Sequence, residues 1–252
     1  MESKRIRAVF FDCWSTVISF SEKRKDWNTA PLKRHAVDCG KIDWDKVDQV
    51  SDSFFSRYYQ TTKYEIKYTQ FLQCLVNLFS IRLDCDLNQL NHEVLDGLDP
   101  MPIQGIGNFL SFLEENKIYY AILSNTIYED EDSMEVIRRL IPKSNFGYFF
   151  GSGNIGVKKP DPLFFQAASA PSGIPLADSI YIGDTFYQDV FGSSRAGFAK
   201  SVWLNTIGKD KSVYSPLCDV DDVEYVEARD YDELLIKFRE GAFGNEIGQT
   251  GN

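Results

Sequence analysis

Three carboxylates, an ammonium and a hydroxyl stand in this sequence where a fold could gather them. Asp12 closes the run Arg7-Ala-Val-Phe-Phe-Asp12 and is followed by Cys-Trp-Ser-Thr16. Ser124-Asn125 follows Ile118 to Leu123, and Lys159 opens Lys-Pro-Asp-Pro162. Gly183-Asp184 follows Ser179 to Ile182, with Asp189 a little further on. Carboxylates suit magnesium, a hard cation often held by one or two of them together with substrate phosphate. A carboxylate can also attack a phosphoryl group once the negative charge spread over that group is neutralised. Taken singly, each segment reads equally well as a strand end, a capped turn or a turn before a helix. Only His35 and His92 are present, and the five cysteines lack metal-ligand spacing, so a histidine triad or zinc centre is not expected.

The elements that must position these groups follow from the apolar pattern. Arg7 to Asp12 is too short for a helix and reads as a parallel strand buried on both faces. Ile118–Leu123, Ser179–Ile182 and Ser201–Leu204 read the same way, with further strands at Phe146–Phe150 and Tyr225-Val-Glu. Between several of them lie helical patterns such as Ile106, Phe109, Leu110 and Leu113. Alternation of this kind predicts an α/β fold with a parallel sheet and right-handed crossovers. Asp12, Ser124 and Asp184 then all follow the carboxyl ends of strands, where open α/β sheets place ligands.

The stretch from about Phe20 to Asp99 differs. Trp44, Val47, Val50, Phe54 and Tyr58 recur at helical spacing, as do Phe71, Leu75, Leu78 and Phe79. Asp99-Pro-Met-Pro102 breaks helix and strand alike and marks the return to the core. Asp230 and Glu233 resemble a capping box opening a helix with Leu234, Leu235 and Phe238. The reading is a core of residues 1–18 and 100–245, a helical insertion of 19–99, and a loose tail of 246–252.

Apolar residues make up 43% of the 252, enough for a substantial core, and the formal net charge is -10. That charge argues against nucleic acid and anionic membranes as partners. No apolar run reaches the roughly 18 residues of a membrane span. The apolar run after the basic start ends at Asp12, too soon for a signal peptide. With the cysteines read as reduced thiols, the expectation is a cytoplasmic protein. The sequence carries no signal of oligomeric state.

In order and separation, these segments resemble the haloacid dehalogenase superfamily. Its four motifs match Asp12 to Thr16, Leu123-Ser124-Asn125, Lys159 in Lys-Pro-Asp-Pro, and Gly183-Asp184 with Asp189. The resemblance covers nearly the whole chain, and the helical insertion falls where the family carries a cap. It implies a doubly wound, Rossmann-like parallel sheet with an inserted all-helical cap. It further implies a hydrolase using Mg2+ and acting on a small phosphorylated molecule. Asp12 would be the nucleophile that forms an aspartyl-phosphate. Asp12, Asp184 and the carbonyl of Trp14 would bind the metal, with Asp189 behind them. Lys159 would offset the acids, and Ser124, Asn125 and Thr16 would complete the catalytic set, Ser124 and Thr16 as donors to phosphate. Lys158, beside Lys159, is expected in solvent.

One position departs from the pattern. Family phosphatases usually carry a second Asp two residues after the nucleophile, which protonates the leaving oxygen. Here that residue is Trp14, whose indole cannot shuttle a proton. Three readings stay open: a phosphatase with another acid or a good leaving group, a 2-haloacid dehalogenase, or a non-catalytic relative. Dehalogenases place an aromatic residue here, but their fourth motif tends to contain Asn and they use no metal. Gly183-Asp184 with Asp189 is the metal-binding version, so the phosphatase reading ranks first. In the cap, Arg24, Lys25, Trp27, Lys33, Arg34 and His35 could grip an anion or simply form a solvated face. Arg57 is equally a structural residue.

Overall fold

The computed structural model describes residues 5–20, 27–58 and 61–243. Eight strands are seen among them: β1 (Ala8–Phe11), β2 (Ile18–Phe20), β3 (Pro100–Pro102), β4 (Tyr119–Ser124), β5 (Phe149–Gly151), β6 (Ser179–Gly183), β7 (Lys200–Leu204) and β8 (Tyr225–Ala228). Six form one sheet in the order β5-β4-β1-β6-β7-β8, with every neighbouring pair parallel. The chain runs from β1 outward to β4 and β5, then returns across β1 to β6 and onward. The order therefore reverses beside β1, which opens a crevice at the carboxyl ends of the central strands.

The helices are α1 (Ala30–His35), α2 (Trp44–Ser53), α3 (Tyr68–Phe79), α4 (Leu87–Gly97), α5 (Ile106–Glu115), α6 (Asp130–Leu140), α7 (Pro162–Ser169), α8 (Gly192–Ala196) and α9 (Tyr231–Arg239). Successive residues of β1 face opposite sides, as strand geometry requires. Ala8 and Phe10 pack with Phe164 and Phe165 of α7, whereas Val9 and Phe11 join Phe109 of α5 and Phe238 of α9. Helices thus cover both faces, and the doubly wound α/β expectation holds.

Between β2 and β3, every regular element among the described residues is helical, including a π-turn at Phe54–Tyr58. Tyr68, Phe71, Leu72 and Leu75 form the buried stripe of α3, while Leu78 is exposed. The loop after the π-turn docks on the core. Tyr64 bridges Val157, and the Glu65 and Lys158 amides donate to the Gly156 and Lys63 carbonyls at 2.9 and 3.1 Å.

Two local readings need correction. Pro100–Pro102, read as breaking any strand, pairs antiparallel with Ile18–Phe20. Proline is tolerated there because a two-stranded ribbon is all edge and needs no amide from it. In α9, the Asp230 carboxylate accepts from the Glu233 amide at 2.7 Å, but Glu233 reaches back to the Arg229 amide rather than to that of Asp230. The 246–252 tail lies outside the described residues, as do Arg24 and Lys25. No helix among the described residues is long and apolar enough to cross a membrane.

Candidate active site

Sheet register brings the acids together. Phe11 lies level with Ile122 of β4 and Ile182 of β6, so Asp12 emerges between the ends of both strands. Ser124 Oγ donates to Asp12 Oδ1 at 2.9 Å, and Lys159 Nζ donates to the same oxygen at 2.7 Å. Lys159 also donates to Asp189 Oδ1 at 2.6 Å and to the Tyr181 hydroxyl at 2.9 Å. The Tyr181 hydroxyl donates onward to the Leu123 carbonyl at 2.7 Å. This ammonium is 1% exposed, so every one of its contacts is made away from water.

The second acidic pair depends on a glycine and a wide turn. A Cβ at Gly183 would collide with the Asp189 side chain, so only glycine lets that carboxylate fold back against the strand end. The π-turn Phe186–Phe191 carries Asp189, and its Oδ2 accepts from the Thr185 amide at 2.9 Å. Trp203 donates its indole N–H to the Asp184 carbonyl at 2.9 Å and pins the backbone there. Asp12, Asp184 and Asp189 each offer an oxygen, and these atoms lie within 4.8 Å of one another. Burial first, then the Asp189 and Asp12 charges, push the Asp184 carboxyl well above the usual carboxylate range. Asp189 is also raised, by burial most of all, although the Lys159 ammonium pulls against it. Two buried acids, Asp12 and Asp189, and the half-buried Asp184 beside one ammonium leave an excess of negative charge. An all-oxygen donor set with that excess fits a hard divalent cation.

The family pattern described as Haloacid dehalogenase-like hydrolase matches residues 44–202.

The chain belongs to this family.

Ser124, Lys159, Asp184 and Asp189 lie inside the matched segment, and Asp12 precedes it. Over 123 residues the chain is 35% identical to the glyceraldehyde 3-phosphate phosphatase of Pyrococcus furiosus, which covers 46% of this chain and 47% of the other. The enzyme of that name from Pyrococcus abyssi is 33% identical over 70 residues, 28% and 29% of the two chains. The chain thus spans about half, or less, of the length of the curated relatives it matches. Among solved structures, a HAD phosphatase from Thermococcus onnurineus has a TM-score of 0.60 at 17% identity, covering 94% of this chain and 98% of its own. A 2-haloacid dehalogenase from Pseudomonas syringae has a TM-score of 0.57 at 17% identity, covering 93% and 99%. At these identities the likeness is one of fold.

The rest of this haloacid dehalogenase-like site is partly as the residues suggest and partly not. Asn125 clamps the Lys159 turn: its Oδ1 accepts the Lys159 amide at 2.8 Å, and its Nδ2 donates to the Lys159 carbonyl at 3.3 Å. Thr16 does not reach the cleft. It is fully buried, its carbonyl accepts from Tyr231, and its hydroxyl has no partner among the described residues. Ser15 lines the cleft instead, turned outward by a φ of 62°, a left-handed conformation that costs a non-glycine residue energy. Lys158, expected in solvent, is only 8% exposed and also lines the cleft. The docked Glu65 loop covers it, a long-range contact that the Lys-Pro-Asp-Pro turn itself cannot announce. Burial lowers the Lys158 ammonium pKa, against the opposing pull of Glu65.

Two cavities share a wall at Trp14, Ser15 and Asn125. One, of about 730 Å³, holds Asp12, Lys159 and Asp184. The other, of about 690 Å³, is lined by Trp27, Phe55 and Tyr128. Of the described cap candidates, only Trp27 lines either one. Lys33 pairs with Asp48, Arg34 with Glu93, and His35 with Asp84 and Glu93. Tyr181 is a further residue that sequence reasoning missed, beside Ser15 and Lys158. Its signal was a tyrosine inside a fully buried strand, whose hydroxyl must find partners.

Proposed function

We propose that the chain is a magnesium-dependent phosphatase of small phosphorylated molecules in the cytoplasm, with Asp12 as the nucleophile. The observation that carries this reading is the convergence of Asp12, Asp184 and Asp189 on one point beside the Lys159 ammonium. A carboxylate substrate of a dehalogenase would meet three acids there, a repulsion that a metal-bound phosphate escapes. The printed names of the Pyrococcus relatives point the same way. Free thiols at all five cysteines suit a reducing compartment.

Asp12, Asp184 and the Trp14 carbonyl would hold magnesium, with Asp189 orienting them. Bound there, the ion supplies charge neutralisation for the phosphoryl group. The chain's own residues do the rest. Ser124 and Lys159 both occupy Asp12 Oδ1, so Oδ2 is the oxygen left to attack phosphorus. Lys159 offsets the charge of Asp12 and of Asp189, with which it pairs at 2.7 and 2.6 Å. A hydroxyl has one proton, and that of Ser124 goes to Asp12, which fixes the carboxylate plane for attack. Water then opens the aspartyl-phosphate.

The test pairs an aryl phosphate with 2-chloropropionate, each with magnesium and with chelator. Metal-dependent phosphate release and no chloride release are expected. Chloride release that survives chelation would replace this reading with the dehalogenase one, and silence on both substrates with the non-catalytic one.

A further inference from the structure

Trp14 takes away a proton donor and, in the same stroke, builds a wall. Its ring stacks on Phe20 with centroids 4.6 Å apart and 27° between planes, and meets the edge of Tyr128 at 6.0 Å. Trp27 and Phe55 face each other at 5.5 Å in the same chamber. Five aromatic rings thus line a space of about 690 Å³ that adjoins the Asp12 cleft through Trp14, Ser15 and Asn125. Cavities of roughly 300–1,000 Å³ hold drug-sized ligands. A three-carbon sugar phosphate would leave most of this chamber empty.

We infer that the substrate is the phosphate monoester of a phenol, its ring seated among Trp14, Phe20, Trp27, Phe55 and Tyr128 while its phosphate lies on Asp12. The inference rests on the phosphatase reading and deepens it. Rings recognise rings through offset and edge-on contacts, and such a chamber offers both kinds of surface. Leaving-group chemistry agrees. A phenol has a pKa of about 10, as tyrosine does, whereas an aliphatic alcohol lies nearer water at about 16. An aryloxide can therefore depart without the proton that Trp14 cannot give. Asp12 Oδ2 bonds to phosphorus as the bond from phosphorus to the aryl oxygen breaks, and the electron pair leaves on the aryloxide. Water then bonds to phosphorus and the bond to Asp12 breaks. The phosphate released carries both protons of that water, one of which passes to the aryloxide.

Steady-state kinetics with magnesium on two phosphate esters and one acyl phosphate tests this. 1-Naphthyl phosphate has a ring and a good leaving group, acetyl phosphate has the leaving group alone, and n-hexyl phosphate has neither. The KM for naphthyl phosphate should lie at least about tenfold below that for acetyl phosphate, a factor within the range of a few aromatic contacts. The kcat for hexyl phosphate should fall about 100-fold or more below both, the low end of what a general acid contributes. Phe55→Leu keeps an apolar side chain of similar size and should raise the naphthyl KM about three- to tenfold relative to that for acetyl phosphate. If that variant fails to fold, the three wild-type values still decide the matter. Turnover of acetyl phosphate with no tighter KM for the naphthyl ester would overturn the inference and leave the phosphatase standing. Hexyl phosphate turned over as fast as the others would also overturn it. No phosphate release from any of the three would overturn the phosphatase reading, and this inference with it.

Discussion

The cleft around Asp12 and the chamber beyond Trp14 are nearly equal in volume, about 730 and 690 Å³, and opposite in chemistry. The first is built mainly at the carboxyl ends of core strands, where buried acids and Lys159 are held by backbone register and by one another. The second draws Phe20 from the end of β2, Trp27 from the segment before α1, Phe55 from the π-turn at Phe54–Tyr58 and Tyr128 from the loop after β4. A rigid sheet supplies the charged machinery, which tolerates little displacement. A less regular region supplies the apolar surface, where shape matters more than register. Trp14 belongs to both, so it couples the choice of leaving group to the chemistry.

That contrast can be broken from either side. The largest effect is expected from Asp12→Asn, which should reduce phosphate release by at least about 10⁴-fold; retained turnover in a stopped assay would remove Asp12 from its role. Lys159→Met comes next. It strands Asp12 and Asp189 without their buried partner, at a cost of about 3–5 kcal/mol. Calorimetry should show Tm falling on the order of 10 °C, and an unchanged Tm would mean the ammonium is not holding the acids. Trp14→Asp probes the shared wall. It should raise kcat for n-hexyl phosphate about 10- to 100-fold by restoring a proton donor, while weakening the preference for a ring. No gain in kcat would show that proton transfer does not limit turnover.

The smallest effect is on pH dependence. The Asp184 carboxyl is raised to about 7 in the metal-free protein, first by burial and then by Asp189 and Asp12. A raised pKa contributes stability that is complete below about 4 and is lost as pH rises through about 7. The metal-free protein should therefore lose Tm across this window. Magnesium, which needs the ionised carboxylates, should raise Tm more at pH 8 than at pH 5. A metal effect equal at both would contradict the crowding of acids.

The two regions also differ in how they show in sequence. A central parallel strand is buried on both faces, so β1, β4 and β6 read as short apolar runs, and the residue ending each stands out. Asp12, Ser124 and Asp184 are legible for that reason, and Lys159 through the Lys-Pro-Asp-Pro motif of the family the chain resembles. What escaped were contacts made across the chain. Lys158 looked solvated until the 63–67 loop covered it. Thr16 looked like a phosphate donor, yet the left-handed turn at Ser15 puts the preceding hydroxyl in the cleft. Pro100–Pro102 pairs as a strand only because β2 lies alongside. The aromatic chamber has no local pattern at all, since its rings come from positions 14, 20, 27, 55 and 128.

Titration calorimetry with magnesium and no substrate tests the central claim most directly. Wild-type protein should bind one ion per chain, and Asp184→Asn should lose that binding while keeping its fold by circular dichroism. Heat of binding undiminished in the variant, or none in the wild type, would mean that the buried acids do not meet around a metal.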